Sequence, residues 1–141
     1  MSEASNPHTP ARPTIFLVEE DDDVRPILTR KLRKSGYRLL VAASLEDARE
    51  WVEGEGYIHA DLVLINLVGK NLEEALRLGR ELCDHAKYDG RTPLVMVPER
   101  VPEELVGQNV DVGGHDWVCY DDGESDQLGR LLAHLLHEAS D

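Results

Sequence analysis

Apolar residues along this chain fall into two alternating patterns. Short, nearly continuous runs occur at Thr14 to Val18 (TIFLV), Arg38 to Ala43 (RLLVAA), Leu62 to Ile65 (LVLI), Leu94 to Val97 (LVMV) and Asp116 to Tyr120 (DWVCY). Runs of this length and composition fit strands buried on both faces. Between them apolar positions recur at helical spacing: Val24, Ile27, Leu28 and Leu32; Ala48, Trp51 and Val52; Leu72, Ala75, Leu76, Leu82 and Cys83; and Leu128, Leu131, Leu132, Leu135 and Leu136. Start signals precede each helical pattern. Asp23 is placed to cap the first, with Pro26 tolerated in its first turn, and Gly36 ends it. Ser44 with Asp47 three residues on resembles a capping box, Asn71 opens the third, and Ser125 or Asp122 opens the last. GEGY (54–57) reads as a turn and KYDGRTP (87–93) as a loop. The segment Pro102 to Val112 predicts a helix that is short or frayed, because Gly107, Asn109 and several valines lower its helix propensity.

Strands that alternate with helices predict an α/β fold, a parallel sheet covered by helices on both faces. In such sheets ligands and chemistry sit at the carboxyl ends of the strands, near the point where strand order reverses. The residues at those ends are Glu19 and Glu20, Asn66, Pro98 and Tyr120. Asn66 raises a specific question, since an apolar run ends there abruptly in a neutral amide.

Composition narrows the picture. The 141 residues suit one domain, set at 14–139, and 41% hydrophobic content is enough for a core. Residues 1–13 are rich in Pro, Ser and Thr and read as a loose tail. A net charge of −13 argues against a nucleic-acid footprint and favours basic partners. No apolar run is long enough to span a membrane, and the first residues lack a signal-peptide core, so a cytoplasmic location is expected. Cys83 and Cys119 form neither a disulfide framework nor a zinc pattern and read as buried, reduced thiols. His134 and His137 lie three apart on one helix face with no third ligand, which reads as a surface face.

From roughly Pro13 to Ala139 the sequence resembles the receiver domains of bacterial response regulators. The resemblance rests on five segments in order: IFLVEEDDDVRPIL, YRLLVAASLEDA, ADLVLINLVG, TPLVMVPER and GGHDWVCYDD. It implies a doubly wound, five-stranded parallel sheet of order 2-1-3-4-5. It also implies a phosphoacceptor pocket. Two acidic residues after the first strand hold Mg²⁺ in that family; here they match Glu19 and Glu20. The aspartate that accepts a phosphoryl group from a histidine kinase matches Asn66, the hydroxyl residue ending the fourth strand matches Pro98, and the lysine ending the fifth matches Tyr120, followed by Asp121 instead of proline. The switch aromatic matches Trp117.

These departures predict a degenerate pocket. An amide oxygen is a far weaker nucleophile than a carboxylate, and phosphoryl transfer depends on charge neutralisation that the missing lysine would supply. The losses of one Asp and one Lys offset in charge, and the Asn66 NH₂ can donate to Glu19 or Glu20. Pro98 has neither a hydroxyl nor an N–H and stiffens its loop together with Pro102. Glu19 and Glu20 are left as a vestigial cation site, with weak Mg²⁺ binding at most and no other cofactor.

The expected function is that of a pseudo-receiver, a non-enzymatic signalling module in a two-component or phosphorelay pathway. It would act by protein–protein contact without aspartyl phosphorylation, with output supplied in trans. The partner would be a histidine kinase, another regulator or a downstream target, and a homodimer is a further option. Two rival readings are a phosphorylatable receiver using another acid, Asp21 or Asp61, and a flavodoxin-like small-ligand binder. The second needs a phosphate-cradling loop where EEDDD would repel phosphate. Two surfaces compete as interfaces: Leu105, Val106 and Val110 near Trp117, which is preferred, and a basic first helix represented by Arg30 and Lys34.

Overall fold

The computed structural model describes residues 12–54, 58–88 and 90–140. All but Arg12 and Pro13 of the expected tail, most of the 54–57 turn, and Asp89 of the 87–93 loop lie outside the described residues. Chain order is β1 (Thr14–Glu19), α1 (Val24–Lys34), β2 (Arg38–Ala42), α2 (Leu45–Glu53), β3 (Leu62–Asn66), α3 (Leu72–His85), β4 (Leu94–Met96), a 3₁₀ turn (Glu103–Leu105), β5 (Asn109–Gly113), β6 (Asp116–Cys119) and α4 (Gln127–Ser140).

The sheet order is β2-β1-β3-β4-β6-β5. The first five of these are parallel neighbours, as the alternating pattern predicts. Period-two alternation sends successive side chains to opposite faces. Phe16, Val18, Val63 and Ile65 pack beneath α2 and α3, against Ala48, Val52, Ala75 and Leu82. Ile15, Leu17, Leu62 and Leu64 pack beneath α1 and α4, against Leu32, Leu128, Leu132 and Leu136. Gly79 lets α3 lie close to the sheet: a Cβ there would stand 2.6 Å from Ile65 Cδ1.

One element departs from expectation. The sheet is six-stranded and mixed among the described residues, not five-stranded and parallel, and no α-helix lies between β4 and β6. The segment Pro102 to Val112 gives only the three-residue 3₁₀ turn and then β5, which pairs antiparallel with β6. The physical reason is local. Val110 and Val112 alternate with polar Asn109 and Asp111, a strand period, and Gly113 and Gly114 both hold positive φ in the turn that follows. Gly107, also at positive φ, ends the 3₁₀ turn. The buried side chain of Gln127 then ties α4 to the new strand. Its Nε2 donates to Gln108 O at 3.2 Å and Asn109 Oδ1 at 2.8 Å, and its Oε1 accepts from Asp122 N at 3.1 Å.

The helix starts at Asp23, Ser44 and Asn71 fall where the sequence predicts them, although Asp23 caps by position only. Ser44 Oγ accepts from Asp47 N at 3.0 Å, and Asn71 Oδ1 from Glu74 N at 2.8 Å. Asp23 makes no side-chain cap on α1. Asp21 does this work, its Oδ1 accepting from Asp23 N at 2.9 Å and Val24 N at 3.2 Å. At α4 the Asp126 carboxylate accepts from the Gly129 amide, while Asp122 shapes the turn before it. Both cysteines are free, and burial first of all pushes each thiol up to about 12. His134 and His137 are exposed on α4, and no group of three or more metal-ligating side chains converges among the described residues. No helix among those residues is long and apolar enough to cross a membrane.

Candidate functional site

β1 and β3 are neighbours in register, so Glu19 and Asn66 stand side by side at the carboxyl ends of their strands. Asn66 Nδ2 donates to Glu19 Oε2 at 2.8 Å, and Asp21 N donates to the same oxygen at 3.1 Å. Glu19 is only 2% exposed. Burial, reinforced by the Asp21 charge, raises its pKa to about 7 despite those two hydrogen bonds and the nearby Arg25 guanidinium. Arg25 donates to the backbone carbonyl of Glu19 at 2.9 Å and pairs with Asp22, so it does not grip the carboxylate. Asn66 Oδ1 is buried without a donor, alone in this among the side-chain polar atoms of the described residues.

Glu20 is directed elsewhere. Its Oε2 accepts from Leu45 N at 2.9 Å, at the start of α2, and its Oε1 accepts from Val68 N at 3.0 Å, in the loop after β3. Both oxygens thereby satisfy backbone amides and strap two loops together. Glu99 does the same for the next residue, its Oε1 accepting from Gly69 N at 3.2 Å. A Mg²⁺ ion needs near-octahedral oxygens at about 2.1 Å. Glu20 is committed to amides and Glu19 Oε2 to two donors, so the residues as arranged do not fit that ion.

A cavity of about 290 Å³ opens between Glu19 and Asn66 on the α1 side of the sheet, bounded also by Pro98, Glu99 and Asp121. Tyr120 does not line it. Its side chain belongs to the α2/α3 core, and its backbone joins Gly107 and Gln108. Asp121, the following residue, reaches the cavity instead. Asp61 is remote from all of this. It precedes β3 at the amino end of the sheet and exchanges two bonds with the Thr14 backbone, at 2.7 and 2.8 Å.

The candidate interface residues are also dispersed. Val110 pairs with Val118 and packs on the α2/α3 face with Leu105. Trp117 packs on the α1/α4 face. The expected cluster of Leu105, Val106 and Val110 near Trp117 is therefore split by the sheet, because adjacent residues of a strand face opposite ways. Val106 is exposed, at 45%. Arg30 and Lys34 are exposed on α1, and neither makes an ion pair among the described residues. Sequence reading missed the roles of Glu99 and Asp121. Both directly follow positions already singled out, Pro98 and Tyr120, and that adjacency was the available signal.

With the geometry in place, the chain can be set beside known proteins. Its fold is the flavodoxin-like fold of response-regulator receiver domains. A receiver domain from the hybrid histidine kinase CckA superposes with a TM-score of 0.58 at 24% identity, over 87% of this chain and 98% of that one. A CheY-like receiver domain protein from Methanospirillum hungatei JF-1 gives a TM-score of 0.66 at 16% identity, over 92% and 98%. In sequence the chain is 21% identical over 124 residues to the nisin biosynthesis regulatory protein NisR of Lactococcus lactis, covering 88% of this chain and 51% of that protein. The chain spans about half the length of the curated relatives it matches. No family profile matches it.

Proposed function

We propose that this chain is a receiver-type module of two-component signalling that works by protein–protein contact without aspartyl phosphorylation. One observation carries the reading: the residue ending β3 is Asn66, and its amide donates to the buried Glu19 carboxylate instead of presenting a nucleophile. The surroundings support it. No Lys or Arg lines the cavity that Asn66 and Glu19 share; Lys70 and Arg100 line a separate cavity that also reaches Asn66, and no lysine ends β6. Pro98 offers no hydroxyl, and Glu20 and Glu99 already occupy the loop amides of Val68 and Gly69. The module has no catalytic role of its own and needs no cofactor. Its partner is a protein, a histidine kinase, another regulator or a downstream target, met in the cytoplasm. The basic face of α1 is the favoured contact surface: Arg30 and Lys34 flank Ile27, which is 68% exposed, whereas the rival apolar cluster is split by the sheet.

The test is intact-mass measurement after incubation with acetyl phosphate and Mg²⁺. The wild-type mass stays unchanged. Asn66→Asp gains phosphate slowly at most, and more readily when combined with Pro98→Thr; Tyr120→Lys adds nothing, because position 120 faces the α2/α3 core and not the cavity. A phospho-adduct on any carboxylate of the wild-type chain overturns the reading.

A further inference from the structure

A groove of about 540 Å³ lies between α1 and the sheet edge formed by β2, lined by Arg25, Pro26, Thr29, Arg30, Arg33 and Val41. No carboxylate is among these residues, on a chain whose net charge is −13. Arg25 is engaged by Asp22 and by the Glu19 carbonyl. Arg30 and Arg33 are exposed and make no ion pair among the described residues. A second observation concerns the backbone beside them. β2 ends the sheet, with β1 as its one neighbour. Arg38 N donates to Pro13 O at 3.0 Å, so the alternation of a parallel ladder turns the amides and carbonyls of Arg38, Leu40 and Ala42 towards β1. Those of Leu39 and Val41 point away from the sheet, and neither amide donates to a loop among the described residues. An open pair of cations and an open row of backbone groups therefore border the same groove.

We infer that this groove binds an extended acidic segment of a partner protein, which adds a strand to β2 and sets a carboxylate at every second residue against Arg30 and Arg33. An added strand pairs with the outward groups of Leu39 and Val41, and those main-chain bonds hold it in place. Its side chains alternate in direction, so one set lies towards α1 and the other towards α2. The α1 side presents the two open guanidiniums, each able to hold a carboxylate by two parallel bonds. The other side presents Leu40 and the start of α2, where Glu46 and Asp47 stand, so the alternate residues of the segment are apolar and not acidic. Other occupants fit less well. A helix has its backbone groups bonded internally and offers none to a sheet edge. A second copy paired β2 to β2 sets arginines against arginines. The inference deepens the reading of α1 as the contact face and rests on it, but it is independent of phosphorylation and its test uses no phosphodonor. A chain that takes both phosphate and the peptide overturns the pseudo-receiver reading alone, and a chain that takes neither overturns this inference alone.

The test follows backbone amide shifts and hydrogen exchange of the ¹⁵N-labelled chain at fixed ionic strength. The probe is the acetylated, amidated heptapeptide Glu-Val-Glu-Val-Glu-Val-Glu. It is compared with an isomer whose glutamates are grouped at one end, with the lysine-for-glutamate counterpart, and with two versions N-methylated on the valine amides or on the glutamate amides. The alternating peptide shifts the amides of Leu39 and Val41 saturably and slows their exchange. The grouped isomer binds more weakly, and the lysine counterpart gives no saturable shift. Of the two N-methylated versions, the one blocked on the amides that face β2 loses binding and the other keeps it. Arg30→Gln and Arg33→Gln each weaken binding about twofold to fivefold, the loss of one solvent-exposed ion pair. Both positions are exposed, and an otherwise unchanged spectrum verifies the fold. The inference is overturned if the grouped isomer binds as tightly as the alternating peptide, if the two N-methylated versions bind alike, or if no peptide gives a saturable shift. It is also overturned if exchange at Leu39 and Val41 slows with rising protein concentration in the absence of peptide, which assigns the edge to a second copy of the chain.

Discussion

The β1–α3 half of this molecule and the β4–β6 half solve the same covering problem differently. In the first, each parallel strand is followed by an amphipathic helix that lies back on the sheet. In the second, the helix expected after β4 is replaced by a 3₁₀ turn and an antiparallel edge strand. A helix covers one face of a sheet, whereas an added strand extends the sheet and covers little of either. The difference shows in burial. Val63 and Ile65 of β3 and Leu82 of α3 are fully buried where those layers meet, but Val110 and Val112 are only half-buried and Val106 is exposed. β4 and the end of β6 are as fully buried as β1 and β3, so the weakly held part of the second half is the 3₁₀ turn and the edge strand β5.

Two truncations sharpen that contrast. Leu82→Ala removes a fully buried side chain between α3 and the sheet and is expected to cost about 3 kcal/mol. Val110→Ala, on the half-buried edge strand, is expected to cost about 1 kcal/mol. Urea denaturation of both variants measures this, and equal costs would mean that the edge strand is as integral to the core as α3.

The next effect is pH-dependent. Glu19 has its pKa near 7 in the fold and near 4.5 as an ordinary glutamate. Between those values the folded chain keeps a proton that the unfolded chain has released. Stability therefore falls as pH rises from 4.5 towards 7 and then levels off, by about 3 kcal/mol in all. Glu19→Gln removes this dependence: it matches the wild type near pH 4.5 and exceeds it in stability at pH 8. Denaturant midpoints across pH 4.5–8 check the sign, and a wild type more stable at pH 8 than at pH 5 would show that Glu19 is ionised at little cost.

A smaller effect tests the junction between the two halves. Gln127→Leu deletes the three hydrogen bonds that join α4, β5 and the loop after β6, leaving Asp122 N and Asn109 Oδ1 without this partner. The expected cost is about 1–2 kcal/mol. Hydrogen exchange locates it, with protection lost first at the amides of Gly107 and Tyr120, which pair in the same corner.

What the sequence made legible divides along the same line. The five parallel strands and the Ser44 and Asn71 caps follow from local periods and from partners three residues apart. Asn66 stood out because a polar residue ended an apolar run, and its pairing with Glu19 follows once β1 and β3 are neighbours. The strapping by Glu20 was not legible, because its partners lie 25 and 48 residues away and a loop glutamate carries no sign of which amides it will meet. The edge strand was legible but misread. Gly107 and Asn109 lower helix propensity there, and the alternation of Val110 and Val112 before Gly113 and Gly114 is a hairpin signature, not a frayed helix. That error also misplaced Trp117, since only strand parity shows it on the face opposite Val110.

The smallest stability effect belongs to the surface that bears on partners. α1 carries Arg30, Arg33 and Lys34 on its exposed side, while Arg25 and Lys31 are already paired with Asp22 and Asp126. On a chain of net charge −13, such a basic face attracts an acidic partner against the field of the whole molecule. Arg30→Glu with Lys34→Glu touches exposed, unpaired side chains, so stability should change by less than about 0.5 kcal/mol. Partner capture from the native cell should nevertheless be lost, and wild-type capture should weaken as salt is raised, because exposed charges are screened. Val106→Asp is the matched control on the edge region, at an exposed position where the fold tolerates a charge. Capture that survives the double reversal but fails with Val106→Asp would move the interface to the segment around the 3₁₀ turn. It would also mean that the irregular half of the molecule, and not the regular one, carries the contact.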